Sequence, residues 1–216
     1  MAKSFLVIGL GRFGQSVALA LTKAGHEVMA VDRMMENVEA IKDHVLHAAQ
    51  CDTCEERVVA GLGVDEFDAV IICIGTDVRA SVLSAVLCLE YGAKQVVAKA
   101  QDELHEKLLK KVGAHRVLQP EKEAGTRLAH SLVFDNVKEY LQLSDEVSIS
   151  ELQVPKAWVD KTLIELDVRR VFHVSVIAVR RNGQMISNLD ASMHFEKDDT
   201  LVLIGKNRAL NRLIRM

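Results

Sequence analysis

The feature that most constrains this chain is a glycine pattern set between a strand and a helix. Ser4–Ile8 (SFLVI) is a short apolar run. It stops at Gly9-Leu10-Gly11-Arg12-Phe13-Gly14, and Arg12–Lys23 then carries helical spacing with Phe13, Val17 and Leu21 on one side. GxGxxG alone is a weak signal, but at a strand-to-helix junction each glycine has a task. Gly9 permits the tight turn, Gly11 lets the backbone approach a diphosphate, and Gly14 lets the helix pack closely. The first-turn N–H groups and the helix dipole favour a phosphate there. Asp32 ends the next strand, Glu27–Val31, and stands 18 residues after Gly14. A carboxylate at that point accepts hydrogen bonds from ribose hydroxyls and repels a 2′-phosphate. Arg33 beside it keeps a phosphorylated ribose open.

The alternation continues. The spacing predicts helices over Met34–Lys42, Glu55–Leu62, Val78–Glu90 and Asp102–Val112, and strands over Val45–Ala48, Ala69–Ile74, Gln95–Ala98 and Arg116–Leu118. Continuous, β-branched strand runs are buried on both faces, which implies a parallel sheet. The fold class expected is therefore α/β, a Rossmann-like doubly wound parallel sheet. Glu121–Leu143 reads as one long crossover helix or dimerisation arm, with Leu128, Leu132, Val133, Val137 and Leu141 as apolar positions. From Ser148 the texture changes to short alternating strands (SISELQV, HVSVIAVR, TLVLIG). Arg181-Asn182-Gly183-Gln184 is a hairpin turn, and Lys156–Asp167 a short helix. This predicts a small α+β module, with domains at 1–143 and 144–216.

Composition narrows the function. With 216 residues, 49 % of them hydrophobic and 26 % charged, the chain is globular rather than disordered. A net charge of −3 supplies no basic field for nucleic acid. No apolar run reaches the roughly 18–20 residues of a membrane span. Lys3, FLVIGLG and Ala18-Leu19-Ala20 resemble a secretion signal, but Arg12 and three glycines interrupt it. Cys73 and Cys88 sit in apolar runs and read as small buried hydrophobes, which suits a reducing cytoplasm. His44, His47, Cys51 and Cys54 fall within eleven residues. Zinc binding and a redox CxxC pair stand beside the plainer reading, small residues flanking an adenine pocket. Asp52 and Thr53 either face the adenine or cap the following helix with Glu55 or Glu56. Arg12 either meets a terminal phosphate, as in ATP or ADP, or is solvated. A dehydrogenase needs a substrate pocket and a proton donor, and the second module offers only His173, His194 and Lys161. The reading is a nucleotide binder and not an enzyme. The alternative is a small NAD-dependent enzyme or a redox-sensing regulator.

Six segments carry a resemblance: VIGLGRFGQS (Val7–Ser16), EVMAVD (Glu27–Asp32), IGTDVRAS (Ile74–Ser81), VVAKAQ (Val96–Gln101), GAHRVLQPEKEAG (Gly113–Gly125) and LSDEVSISEL (Leu143–Leu152). With them the chain resembles the KtrA/TrkA family of RCK (KTN) potassium uptake regulators, of the KtrA-like half-length type. The resemblance implies a nucleotide-binding domain, a crossover helix and an RCK C-terminal module. It implies a cytoplasmic gating subunit that lies against the inner face of the cell membrane through a separate potassium-translocating subunit of Ktr or Trk type. It implies a homo-oligomer, built as dimers in an octameric ring and switched by ATP and ADP, with NAD(H) as a further ligand. By position, Gly9, Gly11 and Gly14 match the phosphate loop, Arg12 a γ-phosphate contact and Asp32 the ribose acid. Phe13, Arg33, Asp52, Thr53, Ile74, Gly75 and Lys99 complete the nucleotide-binding set. Glu121 matches a glutamate near the nucleotide that is associated with a bound magnesium or sodium ion. Some relatives take cyclic di-AMP in the C-terminal module, where Arg169 and Arg170 would meet phosphates. This chain reads Ser187-Asn188-Leu189-Asp190 where some of those relatives carry prolines.

Overall fold

In the computed structural model, which describes residues 1–133, 137–144 and 146–214, the continuous apolar runs form a parallel sheet. Its strands are β1 (Ser4–Ile8), β2 (Glu27–Asp32), β3 (His47–Gln50), β4 (Ala69–Ile72), β5 (Val96–Lys99) and β6 (Arg116–Leu118). Their order is β3-β2-β1-β4-β5-β6, and every neighbouring pair is parallel. The intervening helices are α1 (Arg12–Lys23), α2 (Met35–Glu39), α3 (Glu56–Gly61), α4 (Val78–Glu90) and α5 (Glu103–Lys111). Leu6 and Ile8 join one core with Val70, Ile72, Ala85, Cys88 and Leu109. Val7, between them, joins the other with Ala18, Ala30, Val38 and Ile71. Successive strand side chains point to opposite faces, so a strand apolar at every position must be covered twice. The connection order reverses between β1 and β4, and the crevice beyond their carboxyl ends is where such sheets bind ligands.

Some edges differ from the expected ones. The helix expected over Met34–Lys42 ends at Glu39, and a 3₁₀ turn, Lys42–His44, follows it. The third strand is His47–Gln50 rather than Val45–Ala48, in register with Met29–Asp32.

The chain divides into two compact units, Met1–Pro120 and Glu121–Met216. The second holds α6 (Pro120–Val133) from its second residue on, then β7 (Val137–Gln142), β8 (Val147–Gln153), α7 (Leu163–Leu166), α8 (Val168–Phe172), β9 (Val174–Arg181), β10 (Gln184–Ile186), β11 (Thr200–Lys206) and α9 (Asn207–Ile214). The strands form an antiparallel sheet in the order β10-β9-β11-β8-β7. One long helix over Glu121–Leu143 is therefore not what forms: the helix ends at Val133, and Val137–Gln142 is a strand paired with β8. Tyr140 is buried and accepts a hydrogen bond from the Ser148 hydroxyl at 2.7 Å, while Leu141 next to it is exposed. That alternation is a strand's, and a four-residue spacing of apolar positions cannot distinguish it from a helix's. The expected division after 143 thus falls inside this sheet. Phe134–Asn136, part of the same expectation, lie outside the described residues.

The single helix expected over Lys156–Asp167 is also two pieces, a 3₁₀ turn at Lys156–Trp158 and α7. Asp160 at φ 61° interrupts it, and Thr162 with Glu165 builds a reciprocal cap that starts α7 afresh. The Asn182-Gly183 turn has φ of 49° and 80°, the left-handed pair a two-residue hairpin needs. The core of this unit gathers Trp158, Phe195, Leu152, Leu201, Leu203, Leu210 and Leu213. The last two come from α9, which periodicity did not single out.

An ion pair with one buried partner joins β9 to the turn before β11 in this unit. Asp199 is 1 % exposed and accepts from Arg181 Nε at 2.8 Å and Nη2 at 2.7 Å, and from the Glu196 N–H at 2.8 Å. Burial pushes the Asp199 carboxyl up, but the Arg181 guanidinium and the Glu196 N–H outweigh it and hold the group below the usual carboxylate range. Removing one member of a buried pair strands the other. Arg181→Met should cost roughly 3 kcal/mol in urea unfolding, and adding Asp199→Asn should recover part of that loss. An unchanged midpoint in Arg181→Met would refute this.

His105, on α5, is 1 % exposed, and its Nδ1 accepts from the Gln101 N–H at 3.2 Å. Burial holds the imidazole below its ordinary 6.5, against a smaller upward pull from Asp102. The unfolded chain therefore binds this proton more readily than the folded one. The stability it contributes is complete above about pH 6.5 and is lost as pH falls below that value. Unfolding midpoints at pH 7.5 and 5.5 should differ more for the native chain than for His105→Gln.

Candidate functional site

The crevice is built from the ends of β1, β2, β4 and β5. β1 turns at Gly9, whose φ of 90° is open to glycine and strained for other residues. A Cβ on Gly9 would also stand 3.1 Å from Ile74 Cγ1 and from the Ile74 amide nitrogen. Gly14 is tighter: its Cβ would lie 1.9 Å from the Gly9 carbonyl oxygen. Gly11 faces open space, with nothing within 4 Å of a Cβ there. It is the N-cap of α1, no side chain caps that end, and no acid occupies the first turn. The positive end of α1 is thus presented bare to the crevice, with room for an anion. Arg12, in the first turn, is exposed.

Asp32 closes the other side. It is 9 % exposed, its Oδ2 accepts from the Leu10 N–H at 2.6 Å, and its Oδ1 from the Met34 N–H at 2.7 Å. The carboxylate therefore fastens the glycine loop to the end of β2. Each oxygen keeps a further acceptor position, which leaves it able to take a ribose hydroxyl. Motif spacing located Asp32, but not this tie to Leu10.

Beyond β4, Ile74 and Gly75 meet Lys99, the last residue of β5. Ile74 packs against Gly9, and a Cβ on Gly75 would lie 3.2 Å from Lys99 Nζ. That ammonium stands 5.7 Å from the centroid of the Phe13 ring, within reach of a cation–π attraction. Arg33 extends from the end of β2 and its Nη1 lies 3.8 Å from Asp77 Oδ2. Asp77 is the N-cap of α4, accepting from the Ala80 N–H at 2.9 Å. Sequence reasoning passed over it, although an aspartate three residues before the helical Ala80 is a readable cap.

The loop after β3 resolves two open questions. Asp52 Oδ1 accepts from the Cys54 N–H at 2.9 Å, a local turn, and α3 is preceded by Glu55 with no side-chain cap. The capping box with Glu55 or Glu56 does not form. Thr53 is buried instead, its hydroxyl 2.7 Å from that of Ser84 on α4. His44 and His47 are exposed, and among the described residues no group of three His, Cys, Asp or Glu side chains is disposed to hold a metal. Burial pushes the Cys51 and Cys54 thiols up, and Asp52 adds to both. Burial takes Cys73 and Cys88 up to about 12, against a smaller downward pull from Lys99 at Cys73. Thiols held protonated are poor nucleophiles, so the redox reading gains nothing from this geometry. Glu121 lies in the first turn of α6 and belongs to the second unit.

Because both Asp32 oxygens face N–H donors, an amide there would turn its NH₂ toward one of them. Asp32→Asn should lower the stability of the ligand-free protein by about 1–2 kcal/mol in urea unfolding. No loss would mean that the loop holds without the carboxylate.

The TrkA-N domain model matches residues 5–120 and the TrkA-C domain model residues 147–216. The chain is 37 % identical over 212 residues to Ktr system potassium uptake protein C of Bacillus subtilis, covering 98 % of this chain and 96 % of that one. It is 37 % identical over 210 residues to Ktr system potassium uptake protein A of the same organism, covering 97 % and 95 %. Among solved structures, the GsuK channel superposes with a TM-score of 0.71 at 18 % identity, over 99 % of this chain and 39 % of that one. The GsuK RCK domain gives 0.66 at 18 %, over 100 % and 47 %. Those likenesses show the fold: a Rossmann-like sheet followed by a small antiparallel module. With both TrkA domains matched in order, and Ktr-system proteins alike along nearly their whole length, the chain belongs to the KtrA/TrkA family of potassium uptake proteins.

Proposed function

We propose that this chain is the nucleotide-sensing regulatory subunit of a potassium uptake system. The observation that carries the reading is the bare N-terminus of α1, set against the Asp32 carboxylate across an open Gly11. The phosphates of an adenine nucleotide lie on the α1 N–H groups and its ribose hydroxyls on Asp32. Ile74, Gly75, Phe13 and Lys99 bound the crevice, and Asp52 and Thr53 lie on the base side. Among the described residues no helix is long and apolar enough to cross a membrane. In this reading, supported by the likeness to Ktr-system proteins, the translocating step falls to a separate membrane subunit of Ktr or Trk type. The chain works from the cytoplasmic face as a homo-oligomer, dimers within an octameric ring.

ATP and ADP differ by one phosphate, so a ring changes state only through groups that hold that phosphate differently in its two shapes. Arg12, a full charge beside the phosphate end, is that group in this reading. NAD(H) shares the ADP moiety and is a second ligand class for the same crevice. The family resemblance makes Glu121, in the second unit, the candidate ligand of a magnesium or sodium ion. In the second unit, Arg169 and Arg170 on α8 are exposed. They are the candidate phosphate contacts for cyclic di-AMP, although Arg170 already pairs with Asp167 at 2.6 Å. The reading assigns the chain no catalytic step.

Thermal unfolding with ATP, ADP, NAD⁺ and NADH tests this. A ligand of the native state raises the melting temperature as its concentration passes Kd. ATP and ADP should both stabilise the protein, to different extents, and Arg12→Ala should bring the two closer together. Stabilisation by NADH alone would favour the redox-sensing alternative. Unchanged discrimination in Arg12→Ala would remove Arg12 from the switch.

A further inference from the structure

Arg33 and Asp77 meet across the crevice, and no phosphate or ribose contact proposed above uses Asp77. Arg33 follows Asp32 at the end of β2, and Asp77 precedes α4 beyond the end of β4. In the sheet β1 lies between those two strands. The contact of 3.8 Å between Arg33 Nη1 and Asp77 Oδ2 therefore spans the strand from which the glycine loop springs. Both partners are anchored at the root. The Arg33 carbonyl accepts from Gln50 Nε2 at 3.0 Å. The other Asp77 oxygen accepts from the Ala80 N–H at 2.9 Å, which ties the carboxylate to the first turn of α4. The tips are wet, at 61 % and 42 % side-chain exposure.

A nucleotide lying on this crevice, as proposed above, has its phosphates at α1 and its ribose at Asp32. The base follows the ribose on the side away from the phosphates, and so comes to Arg33. We propose that Arg33 and Asp77 form a clasp over that base. Asp77 is a positioning residue that holds the Arg33 guanidinium across the crevice, and the planar face of the guanidinium stacks on the purine. A guanidinium suits the task because it is flat, always charged and weakly hydrated. The pair is not bidentate, and an exposed pair of this kind is weak in water. It opens readily for entry, and it strengthens when a seated base displaces the water between its partners. The inference rests on the nucleotide reading and adds a residue pair that reads the base rather than the phosphates.

Titration calorimetry on the full chain separates the two. ADP and inorganic pyrophosphate are the probes, and Arg33→Gln, Arg33→Lys and Asp77→Asn the variants. Asp77→Asn keeps an oxygen for the Ala80 N–H, so α4 stays capped. Arg33→Lys keeps the charge and loses the plane. Each variant should weaken ADP by about two- to fivefold and leave pyrophosphate unchanged. The Arg33→Gln, Asp77→Asn double variant should be no worse than the poorer single one, because the pair acts as a unit. Native ADP affinity in Arg33→Gln and Asp77→Asn would overturn the clasp while leaving the nucleotide reading intact. So would an equal loss for pyrophosphate, which would make Arg33 a phosphate cation, or full affinity in Arg33→Lys. A native chain that binds no adenine nucleotide would sink the nucleotide reading itself, and the clasp with it.

Discussion

The Asp32 carboxylate holds together two segments that are far apart in sequence and adjacent at the point where the sheet order reverses. One oxygen takes the N–H of Leu10 inside the glycine loop, and the other takes the N–H of Met34 beyond β2. The loop cannot drift from that position, because Gly14 approaches the Gly9 carbonyl more closely than any side chain allows. The direction of α1, and so the place where its unsatisfied N–H groups point, follows from these two contacts. An anion site at a helix terminus is only as well defined as the loop that aims the helix.

The two units are stabilised by different means. The parallel sheet relies on apolar burial on both faces, with Leu6 and Ile8 entering one core and Val7 the other. Its polar groups gather at the carboxyl ends of the strands, where Asp32, Asp77 and Thr53 tie loops to strands and helices. The antiparallel unit has an aromatic centre, with Trp158 5.0 Å from Phe172 and 6.4 Å from Phe195. The same unit holds the Arg181–Asp199 pair, which joins β9 to the turn before β11. A buried pair of this kind adds little over an apolar one, but it makes the wrong register expensive.

The family relationship and the geometry bear on different levels of function. The TrkA domains and the Ktr relatives set the biological context, potassium uptake. The crevice sets the chemistry, an anion end at α1 facing an acid at Asp32. Between them stands the discrimination of one nucleotide from another. In the proposed reading that falls to Arg12 and Arg33, two exposed cations at loop ends.

The sequence by itself determined the parallel sheet, the glycine loop and the acid opposite it. These are local signals: a strand apolar at every position admits only burial on two faces, and GxGxxG between a strand and a helix admits few backbones. The same local reasoning misplaced Val137–Gln142, because Val133, Val137 and Leu141 satisfy helical spacing while a strand places Tyr140 inward and Leu141 outward. What settled that stretch was its partner: β8 offers Ser148 to the Tyr140 hydroxyl and backbone groups along β7. Only the tertiary structure decided that Thr53 bonds Ser84 instead of capping α3, and that Asp77 faces Arg33. Those partners lie 31 and 44 residues apart in the chain. Nothing in the residues near either one specifies the other, because the meeting is made by the order of the strands.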